Sequence, residues 1–541
     1  MKFVWEEAQN TGFINEYLHN EKEAESFFDY SLEDKSYLLR YGDLKTRTFK
    51  RKELVDVLTN FNKKHHADDA TIEMINKLQD ERSVAVVGGQ QAGLLTGPLY
   101  TINKIVSIIK YASDIERKHQ IPVVPIFWIA GEDHDIDEVN HTFLHYEDQI
   151  KKVRIGERND VKYPVSNRRI SSVDGHAIIQ ELFQFLQETE YTRKLYDELV
   201  ADINTDITYV DWCAKIIHRI FKGTGIILMD AACPDIRKIE SDYFKQLIRK
   251  NDQLRGAFIE GALRYKKVYQ EEPIDIDENN AHLFIHDQGQ RYLLSKEREV
   301  FLEKDSNRHW TEEELLNEIS IDPNSLSNNV VSRPLMQEFL LPVLSFVAGP
   351  GELKYWATLK EVFHTFQMRM PIVQPRLHFT FISRQSEKNL VKLRLDDKSV
   401  TKKGVEKEKE QWLIEQEKAP YKEQFQHAVE QIDEIFSHLS PTFQKYGEEF
   451  ESLQETYREK AKTYMTQLET KFTAQLKKQN ESGLRRFDVV QCEMKPNGNL
   501  QERQLNIFPY LNIYGPDLIE RMLQTVLEEV CQPGQHGYIY L

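Results

Sequence analysis

The sequence predicts an α/β protein: a doubly wound parallel sheet with helical insertions, followed by an α-helical antiparallel coiled coil. Three observations predict it. Five short apolar runs alternate with helix-like stretches, and each run ends in glycine or polar residues. Near the C-terminus, two long stretches repeat apolar residues in alternating three- and four-residue steps.

Residues 1 to about 80 carry apolar positions at helical spacing over 23–30, 52–63 and 69–78, which suits a helical cover on a core. The pattern then changes. Val84-Ala85-Val86-Val87 is a continuous apolar run of the kind buried on both faces of a parallel sheet. Pro98 stands where a helix can begin, and 99–118 is helical in period. Pro122-Val123-Val124-Pro125-Ile126-Phe127-Trp128 is the next strand, completing a βαβ unit. The grammar repeats with a helix over 210–221 and strands over 225–230, 340–347 and 371–376, with a helix over 356–366. Segments at about 150–207 and 245–325 read as helical or mixed insertions into one Rossmann-like core, which extends over 1–385.

From 386 to 485 the composition turns helical and charged. Phe425, Val429, Ile432, Phe436 and Leu439 form one stripe. Phe443, Tyr446, Phe450, Leu453, Tyr457, Ala461, Tyr464, Leu468 and Phe472 form another, and Ser440-Pro441 joins them. Two readings follow: a projecting coiled coil that mediates self-association, or a plain helical hairpin covering its own core. The tail, 486–541, reads as a strand at Phe487-Asp488-Val489-Val490, a helix over 517–529 and a final strand from Gly537, packing back on the core.

At 541 residues the chain exceeds what one hydrophobic core supports. A net charge of -16 argues against nucleic-acid binding as the main role. The four cysteines lack a C-x-x-C pair, so neither a disulfide framework nor a structural zinc site is expected. Neither a signal-peptide pattern nor a run of about 18 apolar residues is present, so no membrane association and a cytoplasmic location are expected.

Ligands of open parallel sheets bind beyond the carboxyl ends of the strands. Gly88-Gly89-Gln90-Gln91-Ala92-Gly93 through Gly97-Pro98 follows the first strand, a glycine-rich turn suited to an anion at a helix N-terminus. Tyr100, Thr101 and Lys104 lie just inside that helix. It is neither a P-loop nor a clean dinucleotide fingerprint. Glu132-Asp133-His134-Asp135 follows the second strand and could bind an ammonium, serve as general base or hold a divalent cation. His141 and His145 follow at helical spacing and read as structural. Cys233, beyond the third strand, reads as a packing residue. Arg333 and Arg376 are candidate carboxylate or phosphate partners. Gly349-Pro350-Gly351-Glu352 with Tyr355 and Trp356 is a candidate pocket wall.

These stretches together resemble the bacillithiol synthase family, the cysteine ligases of bacillithiol biosynthesis. The resemblance rests on Val86 to Leu94, Gly97 to Thr101, Lys104, Pro125 to Asp135, Arg333-Pro334, Gly349 to Glu352, Tyr355-Trp356 and Gln501 to Gly515. Gly88 departs from the pattern, which has threonine there. The resemblance implies a Rossmann core with a dimerising coiled coil and joining of the cysteine carboxyl to the amine of glucosaminyl-malate. It also implies ATP, or another adenine nucleotide such as ADP, as ligand, with Mg2+ as a possible companion.

On that basis the Gly89 to Gly97 loop, with Gln90 and Gln91, holds a carboxylate or phosphate. Asp133 or Asp135 holds the substrate ammonium, and His134 or Glu132 takes the amine proton. Arg333 and Lys104 stabilise developing charge, and activation as an adenylate or an acyl phosphate stays open. Two other readings remain: a non-catalytic nucleotide-binding scaffold of the thiol pathway, and a nucleotidyltransferase acting on another amine.

Overall fold

The computed structural model describes residues 1–7, 10–156, 161–304, 308–417 and 420–541. They form two compact units. One comprises Met1–Tyr146, Ile150–Phe381 and Gln501–Leu541; the other comprises Glu147–Gln149 and Ile382–Leu500.

The centre of the first unit is a five-stranded sheet of β1 (Val84–Gln90), β2 (Val123–Ile129), β3 (Ile227–Asp230), β4 (Val343–Ala348) and β5 (Ile372–Pro375), in the order β5-β4-β1-β2-β3. All neighbours are parallel. The chain starts in the middle, winds outward through β2 and β3, then returns to the other side of β1 for β4 and β5. The direction of winding therefore reverses between β1 and β4. Successive residues of β1 fall into opposite cores: Val84 and Val86 join one apolar cluster, Ala85 and Val87 the other. Burial on both faces explains why the strands read as unbroken apolar runs. Helix α1 (Tyr100–His119) crosses from β1 to β2 and buries Ile102, Ile105, Val106 and Ile109 in the first cluster. The N- and C-termini are tied together, because Lys2–Glu6 pairs antiparallel with His536–Tyr540.

Several local expectations change. The first core strand runs on through Gly88, Gly89 and Gln90, paired with β2 throughout, so the start of the presumed loop is strand. The 23–30 helix is confined to Lys22–Glu25, and the 356–366 helix is split into α2 (Pro350–Trp356) and Lys360–Thr365. Residues 340–342 do not belong to β4, since a helix over Ser332–Leu340 ends there. His141 and His145 lie on the strand His141–Tyr146, not on a helix. The largest difference is in the 245–325 insertion. It builds an antiparallel sheet of Asn280–Asp287, Gln290–Glu297, Val300–Glu303 and His309–Thr311, joined by Leu326–Asn328. The hairpin at Gln288-Gly289, where both residues have positive φ, is the local signal for it.

In the second unit α3 (Tyr421–Gln444) and α4 (Glu448–Gln479) pack as a helical hairpin. The turn lies at Lys445–Gly447, with Gly447 at φ 101, and Pro441 sits inside α3. The turn expected at Ser440-Pro441 is thus displaced by about one and a half helical turns. Residues 487–490 belong to a helix, Glu481–Met494, and not to a strand. Phe487 there packs against Trp412 at 5.8 Å between ring centroids, so its burial serves helix packing.

Candidate active site

A cavity of 820 Å³ opens beyond the carboxyl ends of β1 and β4, where the winding reverses. Two strands whose following segments diverge leave a crevice there, and such crevices hold ligands. Lys104, on the first turn and a half of α1, spans it. Its ammonium donates to the Gly89 carbonyl at 2.6 Å and pairs with Glu352 across the crevice. Glu352 also accepts the Gly349 N–H at 2.7 Å, which caps α2. Burial pulls the Lys104 pKa below its ordinary value, and Glu352 partly restores it. Gly89 is required by space as well: a Cβ there would meet the Trp128 carbonyl oxygen at 3.0 Å and Arg333 Nη1 at 3.4 Å.

Arg333 enters from the Ser332–Leu340 helix and donates to the Tyr355 hydroxyl. Among the described residues no carboxylate lies within ion-pair distance of it, so its charge is available to a ligand. Arg376 is differently placed. Although it lines the cavity, both Nη atoms are committed to Glu502 at 2.7 Å. Glu502 also accepts from His378 and Asn103, each at 2.8 Å. Burial alone would raise the Glu502 pKa, but Arg376 and His378 outweigh it and hold it well below the carboxylate range. Arg376 is therefore a structural ion-pair arginine first.

The opposite wall comes from the segment after β2 and from the antiparallel sheet. Asp133 accepts Gln91 Nε2 at 2.7 Å and the His134 N–H at 2.7 Å, and faces Arg291 at 3.9 Å. Burial would raise its pKa, but the Arg291 charge and these hydrogen bonds lower it. His134 lies 3.3 Å from Arg291 through Nδ1 and edge-on to Phe284. Burial and then the Arg291 charge depress its pKa, leaving a neutral ring near pH 7.

Twelve of the sixteen sequence candidates border this cavity. Gln90 and Tyr100 do so beside Gly89, Gln91 and Lys104, and Gly349 does so beside Glu352 and Arg333. Glu132 is present but unsuited to proton transfer, because its carboxylate is paired with buried Arg237, which also holds Glu240 at 2.9 Å. The remaining four are elsewhere. Gly97 closes a tight turn on Gly93, where a Cβ would come within 2.7 Å of the Gly97 Cα, and Asn506 clamps the turn through the Leu95 and Gly97 carbonyls at 2.9 Å each. Thr101 is a buried residue in the first turn of α1. Asp135 caps a short helical turn by accepting the Asp137 N–H at 3.1 Å. Trp356 is core, stacked on Phe346 at 4.4 Å.

The expected backbone cradle is also altered. Gly97 N–H donates to Leu94 and Leu99 N–H to Leu505, so those amides are engaged, and the cationic groups lining the cavity are side chains. Cys233 stands at a helix start, but burial raises its thiol pKa, so it is no activated nucleophile. Sequence reasoning missed Arg291, Phe284 and Asn328, which come from the unforeseen antiparallel sheet. It also gave no role to Arg503, an exposed cation at the cavity rim supplied by the C-terminal segment.

Fold and cavity together define a Rossmann-like α/β protein with a polar cavity at the reversal point of the sheet. The chain belongs to the BshC family of bacillithiol biosynthesis. Residues 3–377 match that family's N-terminal Rossmann-like domain, and residues 379–532 match its C-terminal coiled-coil domain. Proteins named "Putative cysteine ligase BshC" are similar along the whole length. The one from Bacillus cytotoxicus is 36% identical over 531 residues, and the one from Bacillus cereus strain Q1 is 37% identical over 530 residues, each match covering 98% of both chains.

Proposed function

We propose that the protein joins cysteine, through its carboxyl group, to the amine of glucosaminyl-malate, producing bacillithiol at the expense of ATP. The observation that carries this reading is the pairing of two unlike walls across one cavity. Lys104 and the carboxylate-free Arg333 stand on one side, Asp133 and His134 on the other. Amide formation needs both kinds of group. Arg333 and Lys104 stabilise negative charge as it develops on the acyl oxygen and the departing group. Asp133, fixed by Gln91, holds the amine and accepts its proton as the C–N bond forms. ATP supplies the leaving group that makes the cysteine carboxyl electrophilic. Arg333 suits a phosphate oxygen, and the cavity volume of 820 Å³ accommodates a nucleotide-sized ligand. Mg2+, where it takes part, would arrive on the phosphates of the nucleotide.

The proposal extends to a homodimer formed through the coiled coil. Phe450, Leu453, Tyr457, Tyr464, Leu468 and Phe472 of α4 are each 45–69% exposed. Within the hairpin, Gln454 donates to Ser440 at 2.9 Å, Arg458 pairs with Asp433 at 2.8 Å, and Phe472 packs against Tyr421 at 4.7 Å between ring centroids. An apolar stripe at three- and four-residue steps left open along a helix suits a second helix surface. A cytoplasmic site of action accords with the absence, among the described residues, of any helix long and apolar enough to cross a membrane.

The test is the full chain incubated with cysteine, glucosaminyl-malate and ATP, with bacillithiol, AMP and ADP followed by mass spectrometry. Product is expected, and whether AMP or ADP appears tells which phosphate bond is broken. Asp133→Asn is expected to abolish product with an unchanged urea midpoint. Undiminished product from that variant would sink the site. Neither product nor nucleotide turnover from the parent would favour a nucleotide-binding scaffold.

A further inference from the structure

The sequence suggests His134 as a proton acceptor, but its surroundings give it the opposite polarity. Its Nδ1 lies 3.3 Å from Arg291 Nη1. A guanidinium has only donors and stays protonated, so this hydrogen bond exists only when Nδ1 offers its lone pair. In a neutral ring the hydrogen then resides on Nε2. The Arg291 charge beside Nδ1, with burial, opposes a second proton there. Arg291 has little freedom to move away. Its Nε donates to Ser327 Oγ at 3.0 Å, its Nη2 donates to the Asn328 carbonyl, and its guanidinium lies 3.7 Å over the Phe284 ring. The same ring meets His134 edge-on at 5.8 Å, so one aromatic plate sets both groups. Nε2 of His134 finds no partner among the described residues and is not sealed in the interior, and the residue lines the cavity.

We propose that Arg291 fixes His134 as the Nε2–H tautomer, so that His134 serves the site as a neutral hydrogen-bond donor to an anionic oxygen of the substrate. Arg291 is a positioning residue that acts through the ring. The proposed ligation identifies that oxygen as the one on the reacting acyl group, whereas the tautomer does not depend on ligation. The amine proton accordingly goes to Asp133, whose side chain is 34% exposed.

The test is 15N NMR of the full chain labelled at histidine, with the His134 signals assigned by their loss in His134→Gln. A neutral ring protonated at Nε2 is expected in the parent at pH 7, and a mixture of tautomers in Arg291→Met. An Nδ1–H tautomer or an imidazolium in the parent would overturn the proposal. Turnover gives an independent reading. His134→Gln, which retains an N–H donor, is expected to stay within about tenfold of the parent, while His134→Ala loses about 100-fold. Equal losses would overturn the donor role. If the parent makes no bacillithiol, the ligation reading fails, and the spectrum alone decides the tautomer.

Discussion

Replacing Arg376 by methionine separates a structural arginine from a ligand-binding one. The change keeps the side-chain volume but removes two of the four hydrogen bonds to Glu502, leaving His378 and Asn103. Glu502 is 1% exposed, so water cannot replace the lost partner. Breaking a buried pair from one side costs about 3–5 kcal/mol, because the surviving charge is stranded. Glu502→Gln alone strands Arg376 in the same way. The double variant removes both charges and is expected to recover at least half of the loss. The assay is urea unfolding of the parent, both single variants and the double variant, with midpoints compared at a common slope. The same carboxylate links stability to pH. Its folded pKa is depressed, so its contribution is present above about pH 4.3 and is lost as pH falls below that value. The midpoint difference between parent and Arg376→Met should therefore shrink on acidification. A loss under about 1 kcal/mol in Arg376→Met, or a double variant no more stable than the worse single one, would refute the assignment.

Arg333→Met removes the cavity cation that has only a hydroxyl partner, and is expected to lower ligation kcat/KM by about 10- to 100-fold with the urea midpoint unchanged. Burial holds His282 neutral down to about 3, whereas an unfolded histidine titrates at about 6.5. The unfolded chain thus binds the extra proton first, and stability falls as pH drops below about 6.5, by about 2 kcal/mol at pH 5 for this ring. His282→Gln should make that limb shallower by about this amount in urea midpoints measured from pH 7 to 5, the other buried histidines keeping the remainder. Leu453→Glu with Leu468→Glu places charge on the exposed stripe of α4 and is expected to shift sedimentation from dimer to monomer without loss of helical circular dichroism.

The core strands were legible in the sequence because burial on both faces leaves unbroken apolar runs such as Val84 to Val87 and Val123 to Trp128. Their polar ends marked the cavity for a related reason: residues beyond a buried strand leave the core together. The repeats over 425–472 likewise announced two long helices. Local pattern could not say which apolar positions the hairpin would leave exposed, nor where the turn would fall. It also could not reveal which charges are already spent. Glu132 meets Arg237 across 105 residues, and Arg376 meets Glu502 across 126. Arg291 reaches His134 from a sheet 157 residues further along the chain. Periodicity reports only whether a side chain faces a core, whereas the pairing of buried charges depends on distances that exist once the insertions have packed. The sequence by itself thus determined the central parallel strands, the two long helices of the hairpin and most of the segments that border the cavity. Tertiary packing decided which of its acids, bases and cations remain free to act.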